Sequence, residues 1–249
     1  DREALMLLAR VHLAMGNGAE AEAALDRLEA AGEPDAELAL LRAEALLQQG
    51  DAAAALALAR PRAGSDAAAA RIAALAHATA GDDAAALAAF AAGADAPGAD
   101  IDRARLFAAL ASFHLDRDQL EAARPAVAEA QRLAPTRIET LFVTGRLAER
   151  DADLDLASRA FLAILDVAPL DRPAMLGAAA ALGGLERYDL IRPLVERGRG
   201  AYPGDPDFIY LEARLAAHEG QWPAVRDLLQ QHEPALREPG GDRDLPAQS

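Results

Sequence analysis

The sequence contains no cysteine, which removes thiol catalysis, thiolate metal sites and disulfides together and leaves the compartment undecided. It contains no lysine either: all 25 basic residues are arginine, a usage expected of a GC-rich coding sequence. Aromatic residues make up only 4% of the chain, too few to line a sugar-processing helical barrel with stacking platforms. Cations are scarce as well, and the net charge is −15. Nucleic-acid affinity rests on clustered cations that displace counterions, so no nucleic-acid partner is expected. The longest uncharged runs, AAALAAFAAGA (84–94) and PAMLGAAAALGGL (173–185), fall short of the roughly 18–20 residues needed to cross a bilayer.

What remains is apolar and helical. Of 249 residues, 52% are hydrophobic and 26% charged, a balance that folds. Much of the apolar content is alanine, the best helix former and a residue that lets two backbones come close. Proline falls on a schedule: Pro135, Pro169 and Pro203 are each separated by 34 residues. Each follows an amphipathic run that it cannot continue.

Residues 138–171, IETLFVTGRLAERDADLDLASRAFLAILDVAPLD, spell one unit of this schedule: a helix, a polar break, a second helix, then Ala-Pro. Sliding by 34 aligns the small residues Ala111, Gly145, Ala179 and Ala213 in first helices. The same shift aligns the bulky Val127, Phe161, Val195 and Leu229 in second helices. The breaks MGNGAEA, QGDAAAA and AGDDAAA mark three further hairpins upstream, where glycine ends the first helix with positive φ and Asp or Asn caps the second. Seven hairpins are expected, beginning near residues 2, 36, 67, 104, 138, 172 and 206. One second helix is cut short at LARPRAGSD, and GADAPGAD is a compensating insertion.

A fixed period of this length marks a helical repeat array. Through Leu141, Thr144, Gly145, Ala148, Ala157, Phe161 and Pro169, the chain resembles the tetratricopeptide repeat family, and residues 104–137 match in the same way through Phe107, Leu110, Ala111, His114, Ala123, Val127, Ala130 and Pro135. The resemblance implies an all-α, right-handed α-solenoid of helix-turn-helix hairpins over residues 2–237. A flexible tail or linker would follow over 238–249. The large aromatic positions of the family pattern are mostly empty here. The chain also opens at Asp1 inside a helix, so a trimmed piece of a longer protein is expected, from either cytoplasm or periplasm.

No catalytic constellation emerges. His12, His77 and His114 share one phase of three different hairpins and read as packing positions. DADLD (151–155) imitates the start of a calcium loop, but Leu156 stands where the turn glycine belongs and Leu162 where the bidentate glutamate belongs. The glycine pairs in LGGLERYD and REPGGDRD have neither the spacing nor the preceding strand of a phosphate loop, and none of the four serines lies in a nucleophile elbow. The chain is therefore read as a non-enzyme without cofactor or metal.

In a repeat array the first helices form a continuous wall on which partners dock. By the resemblance, partner-binding positions are Arg10, Arg71, Arg105, Phe142, Arg146, Arg150, Tyr210 and Arg214. Arg10, Arg146 and Arg214 share one phase. These arginines either hold a partner's carboxylates beside Phe142 or Tyr210, or pair with Glu44, Glu139 and Glu149 across adjacent repeats. The family's clamp for acidic chaperone tails uses lysine and asparagine, and with no lysine and a single asparagine, Asn17, that ligand is disfavoured. The expected function is a protein- or peptide-binding scaffold. The alternative is the recruiting arm of a larger enzyme, such as a transferase, or of an envelope or secretion machine. The apolar opening EALMLLARVHLAM, which has no cap helix before it, raises a homodimer through terminal repeats.

Overall fold

The computed structural model describes residues 2–30 and 36–232. Among them are fourteen α-helices paired into seven hairpins. The first four pairs are α1 (Arg2–Ala14) with α2 (Gly18–Ala30), α3 (Ala36–Gln48) with α4 (Ala52–Ala59), α5 (Ala67–Thr79) with α6 (Asp83–Ala94), and α7 (Asp100–Leu115) with α8 (Leu120–Leu133). The last three are α9 (Ile138–Arg150) with α10 (Leu154–Val167), α11 (Arg172–Gly184) with α12 (Tyr188–Ala201), and α13 (Pro206–His218) with α14 (Trp222–Gln231).

Six of the seven first helices start where the repeat places them. The exception is α7, which begins at Asp100 rather than near 104, because Asp100 at the end of the insertion and residues 101–103 add an N-terminal turn with Asp100 and Asp102 in it. The truncation is also real: α4 has 8 residues and passes into a short 3-10 turn over Arg60–Arg62, where Pro61 supplies no backbone donor. The expected tail over 238–249 lies outside the described residues.

Every hairpin turns in the same way. Gly16, Gly50, Gly81, Asp118, Ala152, Glu186 and Gly220 all hold positive φ, between 57° and 85°. In each turn the next residue's N–H reaches back to a carbonyl of the first helix. Asp153 donates to Ala148, Arg187 to Leu182 and Gln221 to Ala216, each at 2.9 Å. This closes the first helix by satisfying carbonyls that have no partner within it. That next residue then opens the second helix, and where it is aspartate its side chain caps: Asp51, Asp82 and Asp153 accept from Ala54, Ala85 and Leu156 at 3.0 Å. The acids of DADLD are therefore a turn and a helix cap.

The chain divides into two compact units, Asp1–Val143 and Thr144–Ser249, the division falling inside α9. In the first unit, Phe90 inserts among Ala67, Ala70, Ala74 and Leu106 and meets Phe113 edge-on at 5.8 Å. In the second, Phe161 fills the space above two glycines. A Cβ added to Gly145 or to Gly177 would stand 2.7 Å from its ring. Gly198 similarly makes room for Phe208, which stacks on Tyr202 at 5.8 Å. The small positions read from the sequence are the holes: Ala9, Ala43, Ala74 and Ala111 are fully buried and Ala179 nearly so.

Two stability tests follow from this geometry. Gly177→Ala should cost roughly 1–3 kcal/mol by overpacking against Phe161. Ala152→Gly and Glu186→Gly should each add roughly 0.5–1 kcal/mol, since a non-glycine residue in the left-handed region costs about 1–2 kcal/mol and glycine recovers that less its own chain entropy. Urea unfolding midpoints at constant slope would read all three.

Candidate functional site: the wall of first helices

The residues expected on the wall lie on first helices, but the two units use them differently. In the first unit the charges are joined. Arg10 forms an ion pair with Glu37, one hairpin on, and both side chains are exposed. Glu44 on α3 sits between Arg71 of α5, at 3.0 Å, and Arg105 of α7, at 2.7 Å, so it ties three hairpins. Arg105 also donates through Nε to Glu139 on α9 at 3.0 Å, and Arg137 reaches the same carboxylate oxygen at 3.3 Å. The Arg71 side chain is only 9% exposed.

Burial sets the protonation of this ladder. Burial of Glu44 opposes its charge, but Arg71 and Arg105 outweigh it and hold the carboxyl below its ordinary value. Glu139 is likewise pushed up by burial and brought lower by its own backbone N–H, Arg105 and Arg137. Burial depresses the Arg71 guanidinium against the attraction of Glu44, whereas Glu44 and Glu139 together lift Arg105 above its ordinary value despite burial. An arginine remains charged through either shift. Arg71 and Arg105 are thus committed to carboxylates of their own chain.

In the second unit, Arg172 at the start of α11 grips Asp205 and Asp207, both at 2.5 Å, and Asp205 in turn caps α13. Arg146 is half-buried, one turn beyond the half-buried Phe142, and Arg150 is exposed. Burial pushes the Glu149 carboxyl above its ordinary value, against the pull of Arg146 and Arg150. Arg214 is exposed and has no acidic partner among the described residues; its guanidinium lies 5.9 Å over the Tyr210 ring. Beside it is a shallow, open depression lined by Ala179, Tyr188, Ile191, Leu211 and Leu215. Tyr188 stacks on His218 there at 3.5 Å.

The wall positions therefore separate into a self-paired set, Arg10, Arg71 and Arg105, and the set around Tyr210 and Arg214. The sequence reading did not find Arg172 with Asp205, nor Arg117, which chelates Asp83 while lying 3.6 Å over Phe113. The signal that would have found them is opposite charge about one period apart: Asp83 and Arg117 are separated by 34 residues and Arg172 and Asp205 by 33.

The hairpin array with its satisfied turns and stacked small-residue holes defines a helical-repeat architecture. No protein-family model matches the sequence, and no match is found among curated proteins. Solved structures identify the fold. The chain superposes on Cut9, from a structure of the APC/C hetero-tetramer Cut9–Hcn1, with a TM-score of 0.70 at 15% identity over 92% of its length; it spans 44% of that chain. It superposes on Pseudomonas aeruginosa PilF with a TM-score of 0.60 at 17% identity, covering 96% of this chain and 93% of that one. A tetratricopeptide repeat protein from Parabacteroides merdae gives a TM-score of 0.54 at 13% identity, over 97% and 94% of the two chains. The chain has the fold of tetratricopeptide repeat proteins. Among the described residues no helix is long and apolar enough to cross a membrane.

Removing Glu44 tests the ladder. Glu44→Gln should cost about 3 kcal/mol, because two guanidinia, one of them buried, lose their shared counter-charge. The pH dependence has a fixed sign. Because Glu44 and Glu139 titrate lower when folded, their contribution is whole above the ordinary glutamate value of 4.5 and is lost as pH falls through the folded values. The acid limb of stability against pH should therefore be shallower in Glu44→Gln than in the parent, as read by urea titrations at stepped pH.

Proposed function

We propose that this chain is a non-catalytic scaffold that binds a segment of a partner protein on its first-helix wall, with Tyr210 and Arg214 as the anchor. The observation that carries the reading is the contrast in arginine usage. Arg71 and Arg105 are bound to internal carboxylates, whereas Arg214 is presented to solvent over an aromatic ring with an apolar hollow beside it. A guanidinium over a tyrosine face next to an apolar depression suits an acidic side chain flanked by an aliphatic one. Phe142 and Arg146, one helical turn apart on α9, repeat the same pair of chemistries. A partner that is protein rather than nucleic acid agrees with the net charge of −15, and Cut9, which shares the fold, is assembled with another protein, Hcn1.

Charge reversal at the anchor tests this. Peptide arrays and pull-downs from the native extract would be compared between the parent and Arg146→Glu/Arg214→Glu. The expected outcome is a partner set rich in acidic-aliphatic segments whose retention falls roughly tenfold or more in the variant. Equal retention by both proteins would remove the groove reading. Arg10→Glu, which disturbs only an exposed pair, should leave retention unchanged.

A further inference from the structure

Aligned on their left-handed turn residues, the seven hairpins share a position three residues before the turn, occupied by Leu13, Leu47, Ala78, Leu115, Glu149, Gly183 and Ala217. Only Gly183 brings no side chain there. The backbone does not require it: Gly183 is not among the glycines with positive φ, and glycine inside a helix is unfavourable beside alanine. A Cβ built on Gly183 would meet Nη2 of Arg214 at 3.6 Å and Cδ1 of Ile191 at 3.8 Å, both ordinary van der Waals separations. The missing side chain therefore leaves a small opening bounded by α11, by Ile191 of α12 and by the guanidinium of Arg214 on α13.

The rim of this opening is of two kinds. Ile191 is buried and belongs, with Tyr188, Leu211 and Leu215, to the apolar depression. Arg214 is exposed and supplies the charge, and among the described residues it forms no ion pair. Whatever enters over Gly183 meets a guanidinium on one side and hydrocarbon on the other.

We infer that the opening over Gly183 is the carboxylate seat of the anchor, taking the side chain of a partner's Asp or Glu against Nη2 of Arg214 with an aliphatic neighbour on Ile191 and Leu211. This rests on the function proposed above and adds the position that selects for it. A side chain at 183 would do one of two things to the guanidinium. An acid would pair with it in place of the partner: Glu149, at the same position one hairpin earlier, is drawn to Arg146 and Arg150. An aliphatic chain would fill the gap, as the buried Leu13 and Leu115 do in their own hairpins. Glycine does neither, so the charge of Arg214 is left for an acid from outside.

The reactivity of Arg214 towards phenylglyoxal, followed by mass spectrometry of the peptide that carries it, reads the opening without any partner. Gly183→Asp places an internal carboxylate in the seat, Gly183→Glu does so with the residue of the preceding hairpin, and Gly183→Ala adds only a methyl group that the space accepts. Arg214 should react at the parent rate in Gly183→Ala and several-fold more slowly in both acidic variants. Retention of acidic-aliphatic array peptides should fall roughly tenfold or more in Gly183→Asp and Gly183→Glu and be kept in Gly183→Ala. In an Arg214→Gln background, Gly183→Asp should cause no further loss. Parent-rate modification of Arg214 in both acidic variants would overturn the inference. So would full peptide retention by those variants where Arg214→Gln alone abolishes it. Retention that survives Arg214→Gln would instead remove the anchor itself, and the seat with it.

Discussion

The structure depends on how close two helices of a hairpin can come. Where Gly145 faces Phe161, the ring occupies the volume of an absent side chain, and the same ring reaches Gly177 on the following hairpin. One residue thus joins a hairpin internally and fastens it to its neighbour. Elsewhere the hole is alanine and the knob Val127, Phe90 or Leu25. Interior packing tolerates little change in volume, so helix spacing is set by this pair of positions. Because each hairpin buries its apolar face mainly against adjacent ones, stability in such an array is a sum of local terms and neighbour interfaces.

Much of this was legible in the sequence because the repeat samples the same environment many times. The 34-residue spacing of Pro135, Pro169 and Pro203 fixed where second helices end, and α8, α10 and α12 stop within two residues before these prolines. Glycine marked four of the left-handed turns. The other three were not marked, since Asp118, Ala152 and Glu186 adopt the same conformation under the constraint of the helices on either side, which overrides local preference. The start of α7 at Asp100 was missed for a related reason: the extra turn, residues 100–103, lies ahead of the first position that the repeat pattern covers.

Site residues were less legible than the fold. Periodicity assigns a residue to the wall but does not say which charge it meets there. Arg71 and Arg10 look alike in sequence, yet one is nearly enclosed and the other open to solvent. Each pairs with a glutamate one hairpin away, Glu44 in one case and Glu37 in the other, and Glu44 is itself largely enclosed while Glu37 is exposed. In the first unit this produces a ladder that links α3, α5, α7 and α9 by charge in addition to apolar contact. Among the described residues Arg214 forms no ion pair, and Leu176, Ala180 and Tyr210 lie on the same stretch of first helices.

The exclusive use of arginine gives this ladder a property that lysine would not. An ammonium in the place of Arg71 would shed its proton readily once buried, whereas a guanidinium does not deprotonate in a protein. Every ion pair between repeats described above is held by such a group. Hydroxide therefore has no cation to neutralise among the contacts that bind one repeat to the next, and the array keeps its cross-links in alkali, where a lysine-based homologue would come apart link by link.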